Sequence, residues 1–511
     1  MRHCLRLRRL FYRHSAVSVL SVALLSLLPT IFFALRSFPM PSNMDEFSTL
    51  LAADTFAHGR LTNPTPPLFR HFETLHVIMQ PTYNSKYMPG GALLLALGQR
   101  VFGHTITGLW MATALCCGAI TWMLLAWMPA EWAVLGGVAA AFSLPISQWA
   151  RFYLCCNLAV FGGALLLGAC RRLLRKPNLP SSLILGVGAS VVGLTRPYEG
   201  AVLSVLVFLW LLLESRRFGV WVTLRRSLLP AAFVVLGMLA FIGYYNWRVT
   251  GHPAELPYAV YEKDHGTTPL FWFLRASPSG SDLRYPWAAG FNRMERWSYN
   301  LQQTPVGFSW YLCFVKLQGL WRWYSSFLLV GLLGVPFALR NRLNRQATAV
   351  FILWFAAELL CSWLNHNYTA PAVALFFLLL FQGLRSLAQF RLRGFPVGAC
   401  VALLAVLACI GARFTAADPR PTYEQPYGYE RARIISRLQA TPGQHLVLVR
   451  YGPGHMIASE WVYNGADIEH APIIWARDLG PSDNRELLEH FHDRHVWLLQ
   501  PDASPPLLQP Y

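Results

Sequence analysis

Two adjacent carboxylates and one lysine bracket the first long polar stretch of a very apolar chain. Asp45 and Glu46 stand near its start, and Lys86 stands near its end, just before Pro89-Gly90-Gly91. A carboxylate can take the proton of an attacking hydroxyl or amine, and a lysine can neutralise a departing phosphate. This pattern suggests chemistry on a lipid phosphate beside a bilayer. Helix capping by the acids and a snorkelling lysine are the structural alternatives.

A second set of polar residues interrupts later apolar segments. Arg196 and Glu199 lie in the string TRPYEG, and His366 and Tyr368 lie in HNYTAP. Ionisable groups near membrane depth are costly and are often functional. Arg196 could contact a phosphate, and His366 and Tyr368 could hydrogen-bond a phosphate or a sugar. An internal Arg196–Glu199 ion pair and an interfacial turn around Tyr368 remain the alternatives.

Metal and nucleotide signatures are missing from the sequence. His71, Glu73 and His76 in RHFETLH do not have the spacing of a zinc site, so we predict no metal ligands, although a divalent metal remains possible. There is no phosphate-binding glycine loop, no dinucleotide fingerprint and no nucleophile elbow. Nucleotide-driven transport and serine hydrolysis are therefore unsupported.

The composition is that of a membrane protein. Of 511 residues, 54% are hydrophobic and only 13% are charged, whereas a soluble chain carries about 25% charged residues. Many apolar runs approach the ~20 residues that cross a bilayer as a helix. The class predicted is an all-α multi-pass membrane protein. The net charge of +18 fits cytoplasmic basic loops better than nucleic-acid binding.

The apolar segments predict about 11–12 transmembrane helices. In order they are 15–35, 88–103, 106–128, 132–149, 154–170, 182–198, 200–214, 228–247, 322–339, 346–363, 370–387 and 395–412. The alternation of basic loops leaves 88–103 beginning and ending on the same side. We therefore predict that this segment is re-entrant or lies along the interface.

The basic residues also predict the orientation. The N-terminal fourteen residues and RRLLRK (Arg171 to Lys176) should be cytoplasmic, in an inner or plasma membrane. The loops 39–87 and 248–310 are then extracytoplasmic, and the polar residues described above all fall on that side. Within the first loop, Asn43 and Glu46 have the spacing of a capping box, which predicts a helix over 43–58 lying at the interface.

Residues 413–511 have the composition of a soluble domain outside the membrane. LVLVRY (446–451) and VWLLQ (496–500) predict strands, and 484–494 predicts a helix. A small extracytoplasmic α/β domain is expected, with no function that its sequence indicates.

The polar motifs together resemble the GT-C class of integral-membrane glycosyltransferases, within it the bacterial branch related to aminoarabinose transferases and protein O-mannosyltransferases. The resemblance covers roughly residues 15–412. It is carried by Asp45-Glu46, Lys86 with Pro89, Arg196-Pro197 with Glu199, and the string from His366 to Pro371. In relatives the prolines commonly follow the lysine directly, whereas Tyr87 and Met88 intervene here.

This resemblance implies a function. Residues 1–412 would form a membrane glycosyltransferase domain, with 39–87 as its catalytic loop. The donor would be a polyprenyl-phosphate hexose or pentose, taken from the membrane lipid without a nucleotide or any certain cofactor. The acceptor would be an unidentified lipid, glycan or protein, and no nucleic acid would bind.

The resemblance also implies roles for the polar residues. Asp45 would be the base of an inverting single displacement, with Glu46 as its neighbour. Lys86 and Arg196 would contact the donor phosphate. The substrate-binding set would be completed by Glu199, His366 and Tyr368.

Two other functions remain open from the sequence. A transporter or flippase of lipid-linked glycans would place its charges near the bilayer midplane in repeated halves, and no repeat is visible. A non-catalytic scaffold that presents residues 413–511 would not need these acids and bases to converge on one side.

Overall fold

The computed structural model describes residues 15–276, 285–415 and 424–511, and most of them are helical. The basic segment 1–14, which helped to predict the orientation, lies outside the described residues. The strands are few and fall in two small sheets. The structure thus has the predicted class, a helical multi-pass membrane protein with a small C-terminal sheet domain.

Seven helical stretches of the described chain are long and apolar enough to cross a membrane. They are Ser15–Arg36, Ile106–Trp127, Cys156–Leu173, Pro197–Arg217, Val220–Thr250, Ala370–Leu387 and Val397–Thr415. Three shorter apolar helices are Ala130–Phe142, Leu179–Thr195 and Phe327–Ala338. The predicted segments 88–103 and 346–363 appear as Pro89–Phe102 and Arg342–Glu358, which belong to neither set.

The remaining elements are shorter. The helices are Met44–Ala57, Leu144–Trp149, Pro257–His265, Ala289–Leu301, Pro305–Tyr311, Gln318–Tyr324, Glu424–Gln439 and Pro481–His490. The strands are β1 (Val77–Ile78), β2 (Asn84–Ser85), β3 (His445–Val449), β4 (Ile473–Arg477), β5 (His495–Gln500) and β6 (Leu507–Pro510). The helix predicted over 43–58 is thus confirmed, and the described part of the loop 248–310 contains short helices.

Two predicted spans are each broken, so predicting them as single helices was wrong. Segment 132–149 divides at Ser143, which is extended (φ −68°, ψ 147°). Pro145 follows in the first turn of the next helix, where its missing N–H costs nothing but where it cannot continue the preceding helix. Segment 322–339 divides at Ser326, also extended (φ −156°, ψ 163°), between Gln318–Tyr324 and Phe327–Gly334.

The C-terminal domain has a four-stranded sheet in the order β4-β3-β5-β6. Strand β3 pairs in parallel with β4 and β5, and β6 is antiparallel to β5. Every residue of β3 is buried, as expected for a central parallel strand covered on both faces. The strands and the helix predicted for this region are confirmed, the helix as Pro481–His490.

The apolar core of this domain continues into the loop 39–87. The ring of Phe47 stacks on that of Tyr463, with centroids 4.6 Å apart and planes 9° apart. The Tyr463 hydroxyl donates to the Leu75 carbonyl at 3.2 Å, and the Ala466 amide donates to Asp54 Oδ2 at 2.8 Å. The domain therefore holds the loop that carries Asp45 and Glu46.

Replacing Phe47 by alanine should loosen this contact. Phe47 is only 8% exposed, so the variant loses its stacking and leaves a cavity, at a cost of about 3 kcal/mol. We expect a lower melting temperature in detergent than for Val306→Ala, since Val306 is 83% exposed. Equal melting temperatures for the two variants would show that the domain does not stabilise the loop.

Candidate active site

Asp45 lies in the first turn of the helix Met44–Ala57, and Asn43 caps this helix. Asn43 is extended, and its Oδ1 accepts a hydrogen bond from the Glu46 amide at 3.1 Å. The capping interaction predicted from the spacing is therefore present. It fixes Asp45 at the N-terminal end of the helix, where the helix dipole stabilises a negative charge.

The side chain of Glu46 is buried and holds neighbouring backbone segments together. Its side chain is fully buried, and its oxygens accept hydrogen bonds from the Ser42 amide at 3.0 Å and the Tyr153 amide at 2.9 Å. The Asn43 amide group adds another at 3.2 Å. These bonds join the start of the helix to the segment before Cys156–Leu173. Asp45, whose side chain is 33% exposed, is the accessible carboxylate of the pair.

Asp45 forms a compact cluster with His76 and Tyr87. Asp45 Oδ1 accepts hydrogen bonds from His76 Nδ1 at 2.6 Å and from the Tyr87 hydroxyl. The Tyr87 oxygen lies 3.0 Å from His76 Nδ1. Among the described residues none donates to Oδ2, so this oxygen can accept a proton or a hydrogen bond from a ligand.

The cluster keeps Asp45 ionised. Burial alone would raise the pKa of Asp45, but the charge and hydrogen bond of His76, the hydrogen bond of Tyr87 and the charge of Lys86 lower it well below its usual range. Burial and Lys86 also lower the pKa of His76, against the opposing effect of Asp45. At neutral pH the cluster therefore contains a carboxylate with one free oxygen.

Removing the Tyr87 hydroxyl should raise the pKa of Asp45, because one of the bonds that stabilise the carboxylate is lost. If ionised Asp45 is needed for turnover, the rate falls as pH drops through this pKa. We expect Tyr87→Phe to move the acid limb of the kcat/KM profile up by about one pH unit.

Tyr83→Phe is the matched control for this prediction. Its hydroxyl lies in the same loop but donates to the Asn464 carbonyl at 3.1 Å, away from the cluster. The control should leave the acid limb in place. An unmoved acid limb in Tyr87→Phe would mean that Asp45 does not set it.

A short hairpin brings His76 and Tyr87 to Asp45. Strand β1 pairs antiparallel with β2, so that His76 and Lys86 face each other just beyond the paired residues. His76 has a left-handed backbone (φ 62°), an unfavourable conformation for a non-glycine residue. Its carbonyl is held by the Ser48 hydroxyl at 2.6 Å and the Lys86 amide at 3.2 Å.

Lys86 is buried among aromatic rings. Its Nζ lies 4.3 Å from the centroid of Tyr261 and 5.0 Å from that of Tyr258, and 3.5 Å from Glu262 Oε1. The side chain is only 7% exposed. The snorkelling alternative thus does not describe it, since the ammonium group is enclosed by the helix Pro257–His265.

The glycines after Lys86 let two helices approach closely. A Cβ at Gly90 would lie 2.7 Å from the Leu194 carbonyl oxygen, and one at Gly91 would lie 3.1 Å from Cys155 Cβ. Only glycine fits such contacts without displacement of the neighbouring backbone. The motif therefore packs the start of the helix Pro89–Phe102 against the residues just before Arg196.

Arg196 has almost no protein partner. Its guanidinium donates a weak bond to Cys156 Sγ at 3.8 Å and lies 5.1 Å from the ring centroid of Tyr368. In the part of the chain that the structure describes, no carboxylate lies within ion-pairing distance of it. The Arg196–Glu199 ion pair considered from the sequence is therefore not formed, and the guanidinium is free to bind an anion.

Tyr368 and His366 occupy the neighbouring string. A Cβ at Gly163 would lie 1.9 Å from the Pro371 carbonyl oxygen, so this string packs tightly on the helix Cys156–Leu173. His366 stacks on Trp323 at a centroid distance of 3.6 Å. Burial and then the charge of Arg196 lower the pKa of His366 to about 3, so its imidazole is neutral.

The acids and histidines of the site do not suit a divalent metal. No group of three His, Cys, Asp or Glu residues that could hold an ion occurs among the described residues. Glu46 is occupied by backbone amides, and His71 Nδ1 bonds the Arg477 carbonyl oxygen at 3.0 Å. We therefore derive no step that uses a metal.

An apolar groove of about 530 Å³ is lined in part by residues that follow Tyr368 in the chain. Tyr324 and Trp354 line it together with Thr369, which directly follows Tyr368. Trp354 Nε1 donates to the Glu199 carbonyl at 3.0 Å, which joins the groove to the turn that carries Arg196. One wall of the groove is thus bonded to the turn that carries Arg196, and another wall begins at the residue after Tyr368.

The predicted residues divide into three groups. Asp45, Lys86, Arg196 and Tyr368 come together, and Glu199 lies against the same turn. Glu46 is close in sequence but is buried in structural hydrogen bonds, and His366 packs on Trp323. The sequence did not indicate His76 and Tyr87 as partners of Asp45, or Glu262 as the partner of Lys86, because no fixed spacing links them.

Solved structures show which class of fold this is. The fold is similar to that of the Archaeoglobus fulgidus oligosaccharyltransferase in complex with Zn and sulfate, with a TM-score of 0.51, 11% identity, and 94% of this chain and 67% of that chain covered. The archaeal oligosaccharyltransferase AglB from Archaeoglobus fulgidus, in complex with an inhibitory peptide and a dolichol-phosphate, has a TM-score of 0.45 and 12% identity, with 96% of this chain and 70% of that chain covered. ArnT from Cupriavidus metallidurans has a TM-score of 0.44 and 13% identity, with 98% of this chain and 93% of that chain covered.

The chain therefore has a GT-C-like fold, as the resemblance of its motifs predicted. No family profile matches the sequence, and no curated protein matches it. At 11% identity the likeness concerns the fold.

Proposed function

We propose that this protein transfers a sugar from a polyprenyl-phosphate donor to an acceptor, with Asp45 as the base. One observation carries the proposal: an ionised carboxylate with a free oxygen lies in the same region as a guanidinium without a carboxylate partner, and the turn that carries this guanidinium packs on the wall of an apolar groove. The fold, shared with an oligosaccharyltransferase, supports the same class of reaction.

The reaction would be a single displacement. The acceptor oxygen or nitrogen forms a bond to the anomeric carbon while the bond from that carbon to the phosphate oxygen breaks. Asp45 Oδ2 receives the proton of the acceptor, and the electron pair of the breaking bond goes to the phosphate. Because no covalent sugar–enzyme intermediate forms, the anomeric configuration inverts.

Arg196 and Lys86 would stabilise the departing phosphate. Arg196 is the stronger candidate, because its donors have no carboxylate partner in the described structure and a guanidinium can bind a phosphate in a bidentate manner. Lys86 is balanced by Glu262 at 3.5 Å, so it would add positive potential or exchange this partner for the phosphate.

The remaining residues have supporting roles in this proposal. The groove would hold the first isoprene units of the donor lipid, since its lining is apolar and its wall is bonded to the turn that carries Arg196. Tyr368 would contact the donor beside Arg196, and Glu199 would face the sugar. His366, neutral and stacked on Trp323, would shape the site. Glu46 positions Asp45 instead of taking part in proton transfer.

The proposal places the reaction on the extracytoplasmic side of an inner or plasma membrane. The N-terminus would be cytoplasmic, and the loops 39–87 and 248–310 would lie outside with residues 413–511. The acceptor, a lipid, a glycan or a protein, would approach Asp45 from the aqueous phase, while the donor enters from the bilayer.

The stereochemistry of the product tests this proposal. The purified protein, in lipid vesicles with a panel of polyprenyl-phosphate hexoses and pentoses and a mixed set of acceptors, should form a product of inverted anomeric configuration. Retention would contradict the role of Asp45 as a base. A donor that crosses the bilayer with its sugar still attached would indicate a flippase.

A further inference from the structure

Glu358 is a buried acid that the proposed reaction has not yet used. It is the last residue of the helix Arg342–Glu358 and is fully buried. Neither of its carboxylate oxygens accepts a hydrogen bond from any residue that the structure describes. Buried polar groups are almost always satisfied, so an unpartnered buried carboxylate suggests that a ligand supplies its partner.

The backbone around Glu358 is firmly held. Lys316, only 1% exposed, donates from Nζ to the Leu359 carbonyl at 3.2 Å and the Cys361 carbonyl at 2.7 Å. The Ser362 amide donates to the Leu270 carbonyl at 2.7 Å. These contacts fix the end of the helix to the loop 248–310, so the position of Glu358 does not result from a frayed terminus.

Glu358 lies on the helix that lines the groove, close to the turn that carries Arg196. Trp354, one turn earlier on the same helix, lines the groove and donates to the Glu199 carbonyl at 3.0 Å. The Tyr198 hydroxyl donates to the Ala357 carbonyl at 2.9 Å. The end of this helix therefore packs on the turn that contains Arg196 and Glu199.

We propose that Glu358 and Glu199 form a subsite that accepts hydrogen bonds from the hydroxyl groups of the donor sugar. This inference rests on the proposed function. A sugar attached directly to a phosphate at Arg196 would be adjacent to both carboxyl groups, because the end of the helix Arg342–Glu358 packs on the turn with Arg196 and Glu199. A carboxyl group can accept hydrogen bonds from sugar hydroxyls and, when it is protonated, can also donate one to them.

A comparison of donors with and without single hydroxyl groups tests the subsite. Wild type, Glu358→Ala and Glu358→Gln would be assayed with a polyprenyl-phosphate sugar that wild type consumes and with its monodeoxy analogues. Wild type should discriminate against at least one analogue by about 10-fold in kcat/KM, the value of one hydrogen bond. Glu358→Ala should lose this discrimination by raising KM for the parent donor.

Two further measurements separate this role from a structural one. Because Glu358 has no partner in the described structure, Glu358→Gln should not lower the melting temperature, whereas a structural acid would. Glu131→Gln, at an exposed position of the helix Ala130–Phe142, is the matched control. It should change neither the melting temperature nor the discrimination between the parent donor and its analogues.

The possible results distinguish the two proposals. Unchanged discrimination in Glu358→Ala, with an active wild type, would overturn the subsite and leave the proposed function intact. A lower melting temperature in Glu358→Gln with unchanged discrimination would make Glu358 structural. If wild type consumes no donor in the panel, the proposed function itself fails.

Discussion

Asp45→Asn is expected to lower kcat by about 10³-fold or more while the protein remains folded. Asparagine keeps the size of the side chain and an oxygen that can accept from His76 and Tyr87. It cannot accept the proton of the acceptor at neutral pH, so the displacement loses its base. The measurement is the rate of sugar transfer in lipid vesicles, together with the melting temperature of both proteins.

Asp467→Asn provides the matched control, because this carboxylate is 49% exposed in the C-terminal domain, where it contacts His470. It should transfer sugar at the wild-type rate. Wild-type kcat in Asp45→Asn would remove Asp45 from the chemistry. Misfolding of Asp45→Asn would instead show that Asp45 has a structural role. The comparison is fair because asparagine has nearly the same size and shape as aspartate.

Arg196→Ala is expected to lower kcat by about 10²- to 10³-fold, because the departing phosphate loses its principal positive partner. Arg196→Lys should recover part of this loss, since an ammonium group supplies charge without the bidentate geometry. The expected order of kcat values is wild type, then lysine, then alanine. Single-turnover kinetics with a saturating donor would measure it.

Arg342→Ala is a suitable control for a lost arginine. Arg342 pairs with Glu214 at 2.6 Å, outside the proposed site, and its side chain is 61% exposed. This variant should keep kcat. If Arg196→Ala raised KM and left kcat unchanged, Arg196 would bind the donor without stabilising the charge that develops in the reaction.

The sequence could predict which residues meet because topology follows from simple charges. The distribution of basic loops predicts that Asp45, Lys86 and Arg196 lie at the same ends of the helices, and such ends are close together in a helical bundle. The structure does bring these three residues into one region. The capping spacing of Asn43 and Glu46 also predicted the helix that carries Asp45, because capping is a local interaction.

The partners of these residues could not be predicted in the same way. His76 reaches Asp45 through a hairpin of two-residue strands, which is too short to leave an alternating pattern. Glu262 meets Lys86 from a loop about 175 positions away, and a contact of that sequence separation has no local signature. The different environments of Asp45 and Glu46 depend partly on the Tyr153 amide, which is 107 positions away from Glu46 and has no local signature.

The breaks in two predicted spans have a different origin. Hydropathy averages over a window, so it records Ser143 and Ser326 as brief interruptions of an apolar run. The backbone responds to individual residues, and at Ser143 an extended residue before a proline-containing first turn ends the helix whatever the surrounding hydropathy. The C-terminal strands were easier to predict because their short apolar runs are bounded by polar turns.

The most direct test of the central claim is the formation of free polyprenyl phosphate. Purified wild type and Asp45→Asn would be incubated in lipid vesicles with a polyprenyl-phosphate sugar and an acceptor mixture, and the lipid would be followed by mass spectrometry. We expect wild type to release polyprenyl phosphate in proportion to the sugar transferred, and Asp45→Asn to release almost none. Equal release by both proteins, or intact donor with wild type across a broad panel, would contradict the account.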